Sequence, residues 1–267
     1  MSDEMTIQSG PALFEQVEPG IGLVTLNRPD RLNALNLEMI EALEELFKKL
    51  AVNDDIRVLV LTGAGRGFCS GADLVDAMAN TSQEVFSSPD LFLTLVQERY
   101  SGLIVAMRKI PQPIIAAVNG PAAGGGFALT LGSDIRVVAP TALFVASFIN
   151  LGLSGGEMGA SYFLPRLVGL SRAADIIYSG RKVPADEAER IGLVSKVVPE
   201  DQLVPEAMQW ARTLLGKSKC GLRLTKSVLD GSLTAPSLEA AIDLENRNQT
   251  IMASSKEFLS RVSAFVK

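Results

Sequence analysis

The 267-residue chain contains no histidine. That absence removes the imidazole base on which Ser-His-Asp and Cys-His catalysis depend, and with it most zinc-ligand sets. No metal site is therefore expected. Cysteine is scarce: Cys69 and Cys220 are the two present, too few for a disulfide framework. No run of Lys and Arg stands out and the net charge is −5, so nucleic acid is not an expected partner. No apolar run approaches the ~20 residues of a membrane span. Met1-Ser2-Asp3-Glu4 lacks the basic-then-apolar pattern of a secretion signal. A chain that is not bound to a membrane, in a reducing cytoplasm, is the expectation.

What remains is an ordinary globular balance, 47% hydrophobic and 21% charged. A chain of this length buries roughly three quarters of its unfolded surface, so it needs no staples. Without histidine, proton transfer falls to carboxylates, Tyr, Lys, Cys or water. A developing oxyanion falls to backbone amides or cations.

Residues 12–17 and 21–26 read as strands joined at Pro19-Gly20, a hairpin pattern. Asn36 is positioned to cap an amphipathic helix over 37–51, with Ile40, Leu43, Phe47 and Leu50 on one face. Val58–Thr62 and Ile114–Val118 are short and wholly apolar, as strands covered on both faces are. Between them Asp90 is expected to cap a helix, on which Glu98 is a further carboxylate that nothing selects. Strands are expected at 134–139, 142–146 and 194–198. Helices are expected at 157–168, 171–179, 185–190, 202–216, 219–230, 236–250 and 255–266, with Trp210 packing in the helical part. No sequence repeat at a solenoid period is visible. The pattern predicts an α/β core over 1–200 and a helical C-terminal region over 201–267, which would serve assembly and pocket cover.

Two glycine-rich segments each leave a buried strand. The first runs Gly63-Ala64-Gly65-Arg66-Gly67-Phe68-Cys69-Ser70-Gly71-Ala72-Asp73-Leu74. The second is Gly124-Gly125-Gly126, placed at a helix start. Glycine permits positive φ and close approach to the backbone, and a helix start leaves N–H groups unpaired. Taken alone, the first also reads as a tight surface loop and the second as close helix–sheet packing through small residues. Two such exits together suggest amides converging on one carbonyl oxygen. The spacing is neither the dinucleotide fingerprint nor a P-loop. Asp73 reads as a helix cap, and Cys69 as an inert buried thiol.

Four stretches, in order, resemble the crotonase (enoyl-CoA hydratase/isomerase) superfamily. They are Asn27-Arg28-Pro29 with Asn33-Ala34-Leu35-Asn36; Phe68 to Leu74; Asn119 to Gly126; and Leu164-Pro165-Arg166-Leu167-Val168-Gly169 with Ala185, Glu187, Ala188 and Gly192-Leu193-Val194. The resemblance implies a spiral of ββα units with a C-terminal helical region, assembled as a homotrimer or a dimer of trimers. It implies an acyl-CoA thioester as substrate, with coenzyme A as its handle and no separate cofactor. The oxyanion amides it implies are those of Ala72 and Gly125. Ala34, Ser70, Gly71, Asp73, Leu74 and Gly124 would line the path of the acyl-CoA, with Arg28, Arg31 and Lys267 as candidate phosphate contacts.

Hydratases of this family carry two glutamates. This chain has Ala128 and Phe148 at the matching positions. Another carboxylate, Glu157 in Gly155-Gly156-Glu157-Met158-Gly159, resembles the acid that dienoyl-CoA isomerases and some aromatic-acyl-CoA enzymes carry before the Leu-Pro-Arg stretch. A pocket formed by Phe148 and Phe144 would surround it. The expected activity is enoyl-CoA isomerisation or hydration. A non-catalytic acyl-CoA binding protein and a thioester hydrolase stay open as alternatives. Residues 75–90 are the expected lid.

Overall fold

The computed structural model describes residues 6–265. Among them, six strands form one sheet in the order β1-β2-β3-β4-β6-β9. These are β1 (Ala12–Glu18), β2 (Ile21–Leu26), β3 (Val58–Gly63), β4 (Ile114–Val118), β6 (Ile135–Val138) and β9 (Lys196–Val197). β1 pairs antiparallel with β2 across the turn at Gly20, and the remaining pairs are parallel. A second sheet takes the order β5-β7-β8, from β5 (Pro121–Ala123), β7 (Leu143–Val145) and β8 (Lys182–Pro184).

The second sheet continues as single bridges. Leu35 pairs in parallel with Ala72, and Cys69 with Ala122, whose own partner in β7 is Phe144. Each of β2, β3, β4 and β6 is thus followed by a short extended piece lying one level to the side. Stacking these pieces winds the chain into the expected spiral.

Both apolar runs, β3 and β4, are buried along their whole length. One face of the sheet packs on α1 (Leu37–Val52), α5 (Glu98–Lys109) and α6 (Gly125–Gly132), where Leu43, Phe47, Leu103, Met107 and Phe127 fill the core. α1 begins as expected, with the Asn36 side chain accepting from the Met39 N–H. The other face is covered by α10 (Leu203–Leu215), through Leu203, Ala207, Met208 and Ala211. Trp210 belongs there too, half-buried against the sheet rather than among the terminal helices.

The remaining helices are α7 (Ala160–Val168), α8 (Leu170–Ser179), α9 (Ala185–Arg190), α11 (Lys219–Ser232), α12 (Leu238–Ala253) and α13 (Lys256–Phe265). Lys226 on α11 is buried and donates to the Gln112 carbonyl at 2.8 Å and to Asp134 at 3.1 Å. Arg108 joins Asp134 at 2.7 Å and Asp230 on α11. These paired charges, of which Lys226 is buried and the others half-buried, tie α11 to the core. No helix among the described residues is long and apolar enough to cross a membrane.

The segment expected as a lid folds into short helices: α2 (Leu74–Asn80), α3 (Gln83–Ser87) and α4 (Pro89–Phe92). A π-helical turn over Leu93–Gln97 connects α4 to α5. The cap of α4 is Ser88, whose hydroxyl accepts from the Leu91 N–H. Asp90 lies two positions past the cap, inside the helix, whereas a cap must precede the first helical residue. The expected helix at 157–168 starts only at Ala160, because Met158 and Gly159 take positive φ of 46° and 81°. The strand expected at 194–198 is confined to Lys196 and Val197.

Candidate active site

The first glycine-rich exit is shaped by polar side chains. Asn33, fully buried, donates through Nδ2 to the Ala64 and Gly67 carbonyls at 2.9 and 2.8 Å. Its Oδ1 accepts from the Arg28 N–H at 2.8 Å. Asn119 accepts from the Gly63 N–H at 3.2 Å and donates to the Gly65 carbonyl at 2.8 Å. Asp73 caps α2 by accepting from the Asp76 N–H at 3.1 Å, and it pairs with Arg28 at 2.8 Å. Burial opposes its ionisation, but the Asp76 N–H and the Arg28 guanidinium outweigh that and hold its carboxyl below the usual range.

Arg28 also donates to the Ala34 carbonyl. Its guanidinium and the Asp73 carboxylate are thus spent on each other and on the turn. Arg31 is exposed at the end of the short turn Pro29–Arg31, beside partly exposed Ser70. Ala34 is buried under the same turn. The candidate contact Lys267 lies outside the described residues.

The second exit is shaped by the absence of side chains. Gly124 takes φ 51° and ψ −118°, and its N–H donates to the Val145 carbonyl at 2.9 Å. Only glycine occupies such a conformation without strain. A Cβ on Gly126 would sit 2.0 Å from the Cys69 carbonyl oxygen. One on Gly71, itself at φ 95°, would sit 2.7 Å from the Ala123 oxygen and 3.3 Å from the Gly125 nitrogen. The two exits therefore touch main chain to main chain.

This contact brings the residue after Gly71 beside the start of α6. Among the described residues, neither the Ala72 N–H nor the Gly125 N–H donates to a protein acceptor. Gly125 is the first residue of α6, where an N–H has no intrahelical partner. Both residues line one cavity of about 150 Å³. Its walls are mainly apolar: Phe148, Leu153 and Met158 on one side, Leu74, Phe86 and Phe92 of the helical cover on the other.

Glu157 lines the same cavity, and no other Asp or Glu does among the described residues. Ala128, where a hydratase glutamate is expected, is buried in α6. Phe148 lines the cavity as expected, whereas Phe144 does not. Phe144 is fully buried and packs its ring on Phe127 at 5.6 Å, because the middle residue of β7 points into the core. Tyr100 lines the cavity with its hydroxyl donating to the Leu35 carbonyl at 3.1 Å; burial pushes its pKa up to about 12. Buried Cys69 is pushed up to about 12 as well, so it is an inert thiol.

Sequence reasoning missed Gln97. Its Nε2 donates to Glu157 Oε1 at 2.5 Å. The sequence drew attention to neighbouring Glu98, which is exposed. Nothing in the composition marks the π-helical turn that sets Gln97 facing the cavity.

A chain wound in this spiral, whose Glu157 lines the same pocket as Ala72 and Gly125, is an enzyme of the crotonase class. A model of the enoyl-CoA hydratase/isomerase family matches residues 16–267. The chain belongs to that family. It is 45% identical over 237 residues to a probable enoyl-CoA hydratase of Mycobacterium bovis, covering 89% of this chain and 83% of that one. It is 39% identical over 254 residues to the 1,2-epoxyphenylacetyl-CoA isomerase of Escherichia coli, covering 95% of each. The crystal structure of a monofunctional enoyl-CoA isomerase from M. smegmatis superposes with a TM-score of 0.75 at 41% identity, covering 88% of this chain and 99% of that one.

Proposed function

We propose that the enzyme shifts a double bond in an enoyl-CoA, with Glu157 moving the proton and the Ala72 and Gly125 amides holding the thioester oxygen. One observation carries this reading: among the described residues, Glu157 is the lone carboxylate lining a cavity that is also lined by Ala72 and Gly125, whose N–H groups have no protein acceptor. A thioester carbonyl set between the two N–H groups gains charge as a proton leaves the acyl chain, and each donor is worth about 3 kcal/mol to that transition state. Glu157 takes the proton from one carbon and returns it to another. The bond moves, the mass does not change, and one acid–base group is enough. Hydration needs a second group to place water, and the two matching positions hold Ala128 and Phe148.

Coenzyme A enters as part of the substrate, and no further cofactor is required by this chemistry. The substrate would lie along Ser70, Gly71, Leu74 and Gly124, with Arg31 at the open edge for phosphate. Assembly as a homotrimer or a dimer of trimers belongs to the same proposal. Leu238, Ile251 and Leu259 on α12 and α13 are 71%, 51% and 57% exposed, an apolar surface that suits burial against another copy. A cytoplasmic location suits the two unpaired thiols, one of them exposed Cys220.

The test is incubation with crotonyl-CoA, a 3-enoyl-CoA and a 3,5-dienoyl-CoA, read by mass and absorbance. The expected result is altered conjugation at unchanged mass, lowered about 10²–10⁴-fold in Glu157→Gln. Water gain, free CoA release, or binding of all three without turnover would each replace this reading with hydration, hydrolysis or a binding module.

A further inference from the structure

Glu157 is held by two donors that converge on one of its oxygens. Gln97 Nε2 and the Met158 N–H, the latter at 3.1 Å, both donate to Oε1. Among the described residues, Oε2 receives no protein donor.

Both ends of this arrangement rest on unusual backbone. Gln97 ends the π-helical turn Leu93–Gln97 inside the otherwise α-helical stretch from Pro89 to Lys109. Such single wide turns add a residue to a helix and recur at functional sites. Glu157 immediately precedes Met158, a non-glycine residue at positive φ, which is uncommon. Two irregular segments, distant in sequence, thus meet in one side-chain hydrogen bond. An ionised carboxylate only accepts, so the Gln97 amide must present its nitrogen.

We propose that Gln97 is a positioning residue for proton transfer. It fixes Oε1 so that Oε2 is the oxygen that takes and returns the substrate proton. This rests on the reading of Glu157 as the base. When Oε2 abstracts the proton, the C–H electron pair passes to the thioester oxygen. The O–H bond formed on Oε2 breaks again when the proton is delivered to the new carbon, where the dienolate supplies the pair of the new C–H bond as the oxygen's pair returns to re-form the thioester carbonyl. Throughout, the Gln97 N–H stays on Oε1 and keeps the carboxyl plane from turning.

The experiment compares steady-state kinetics of the parent, Gln97→Met, Gln97→Leu and Glu157→Gln on whichever of the three acyl-CoAs the parent turns over fastest. Methionine keeps the length and loses the donor. Each folded Gln97 variant should show kcat about 10- to 100-fold lower, the loss of one hydrogen bond to a charged group, with KM within about 2-fold. A kcat within about 2-fold of the parent, while Glu157→Gln is inactive, overturns the role of Gln97 and leaves the base standing. A loss confined to KM overturns it too, because it makes Gln97 a substrate contact. Failure of both Gln97 variants to fold overturns it as well, in favour of a structural tie. Turnover surviving in Glu157→Gln, or a parent inert toward all three substrates, ends the base and this inference together.

Discussion

The two strand exits that flank the cavity do the same geometric work by opposite means. The first, Gly63 to Leu74, is tied down by side chains: Asn33, Asn119 and the Arg28–Asp73 pair. The second, Gly124 to Gly126, is shaped by side chains left out, so that main chain can touch main chain. The difference teaches where each is vulnerable. A polar tie fails when a donor or acceptor is removed or titrated. A steric seam fails when a single carbon is added.

The seam should therefore give the largest effect. Gly126→Ala would set a methyl 2.0 Å from the Cys69 carbonyl oxygen and 2.7 Å from Cys69 Cβ. Backbone cannot yield as a flexible side chain does, and the cost should be about 3 kcal/mol or more. Urea unfolding of the variant measures it, and turnover should vanish because Cys69 and α6 must part. A variant as stable and active as the parent would show that the seam is loose and the comparison mistaken.

Next comes the strongest polar tie. Asn33→Ala strips partners from the Arg28 N–H and from the Ala64 and Gly67 carbonyls. Asn119 still reaches Gly67 at 3.3 Å, so part of the loss is covered. About 2–3 kcal/mol is expected. The effect should be local: faster hydrogen exchange in residues 64–72, with little change in α6. Equal loosening of both exits would mean that they are held as one unit.

How much of this was legible beforehand follows from the kind of force involved. β3 and β4 stood out because burial on both faces demands unbroken apolar runs. The glycines of both exits stood out because glycine alone takes positive φ without strain and leaves room for main-chain contact. Glu157 could be picked out because it lies seven residues ahead of the recognisable Leu164-Pro165-Arg166, which anchors its alignment. The spiral itself left no sequence period: β2, β3, β4 and β6 begin at Ile21, Val58, Ile114 and Ile135, so the intervening helices differ too much in length. β5 and β8 are three residues each, too short to show alternation. Asn33 and Gln97 act through hydrogen bonds to residues far along the chain, and no local pattern encodes those. Met158 hid the true start of α7, since a non-glycine residue gives no hint of a left-handed turn.

A smaller effect should separate the exits by pH. Asp73 has its carboxyl held below the usual range in the folded protein. A group of that kind stabilises fully above its unfolded value of about 3.9, and the contribution is lost as pH falls through the lower folded value. Asp73→Ala should cost about 1–2 kcal/mol at neutral pH, the worth of a helix cap with its ion pair. Parent and variant should then converge as the pH drops below about 3.9. A gap that stays constant into acid would show that Asp73 contributes packing alone. The second exit, built without titratable side chains, should keep its hydrogen-exchange protection over the same range.

The smallest expected effect is none at all, and it probes the line where the exits meet. Cys69 lies on that line: its carbonyl accepts from the Ala123 N–H at 2.9 Å, and its side chain is fully buried. With its pKa pushed up to about 12, the thiol stays protonated, and burial bars reagents. Cys220 is exposed on α11 and serves as an internal standard. A neutral alkylating reagent at pH 7.5 should label Cys220 and leave Cys69 untouched until denaturant opens the core. If Cys69 labels at a rate insensitive to low denaturant, the two turns part locally while the rest stays folded. The seam would then be the mobile element, and the polar exit the fixed one.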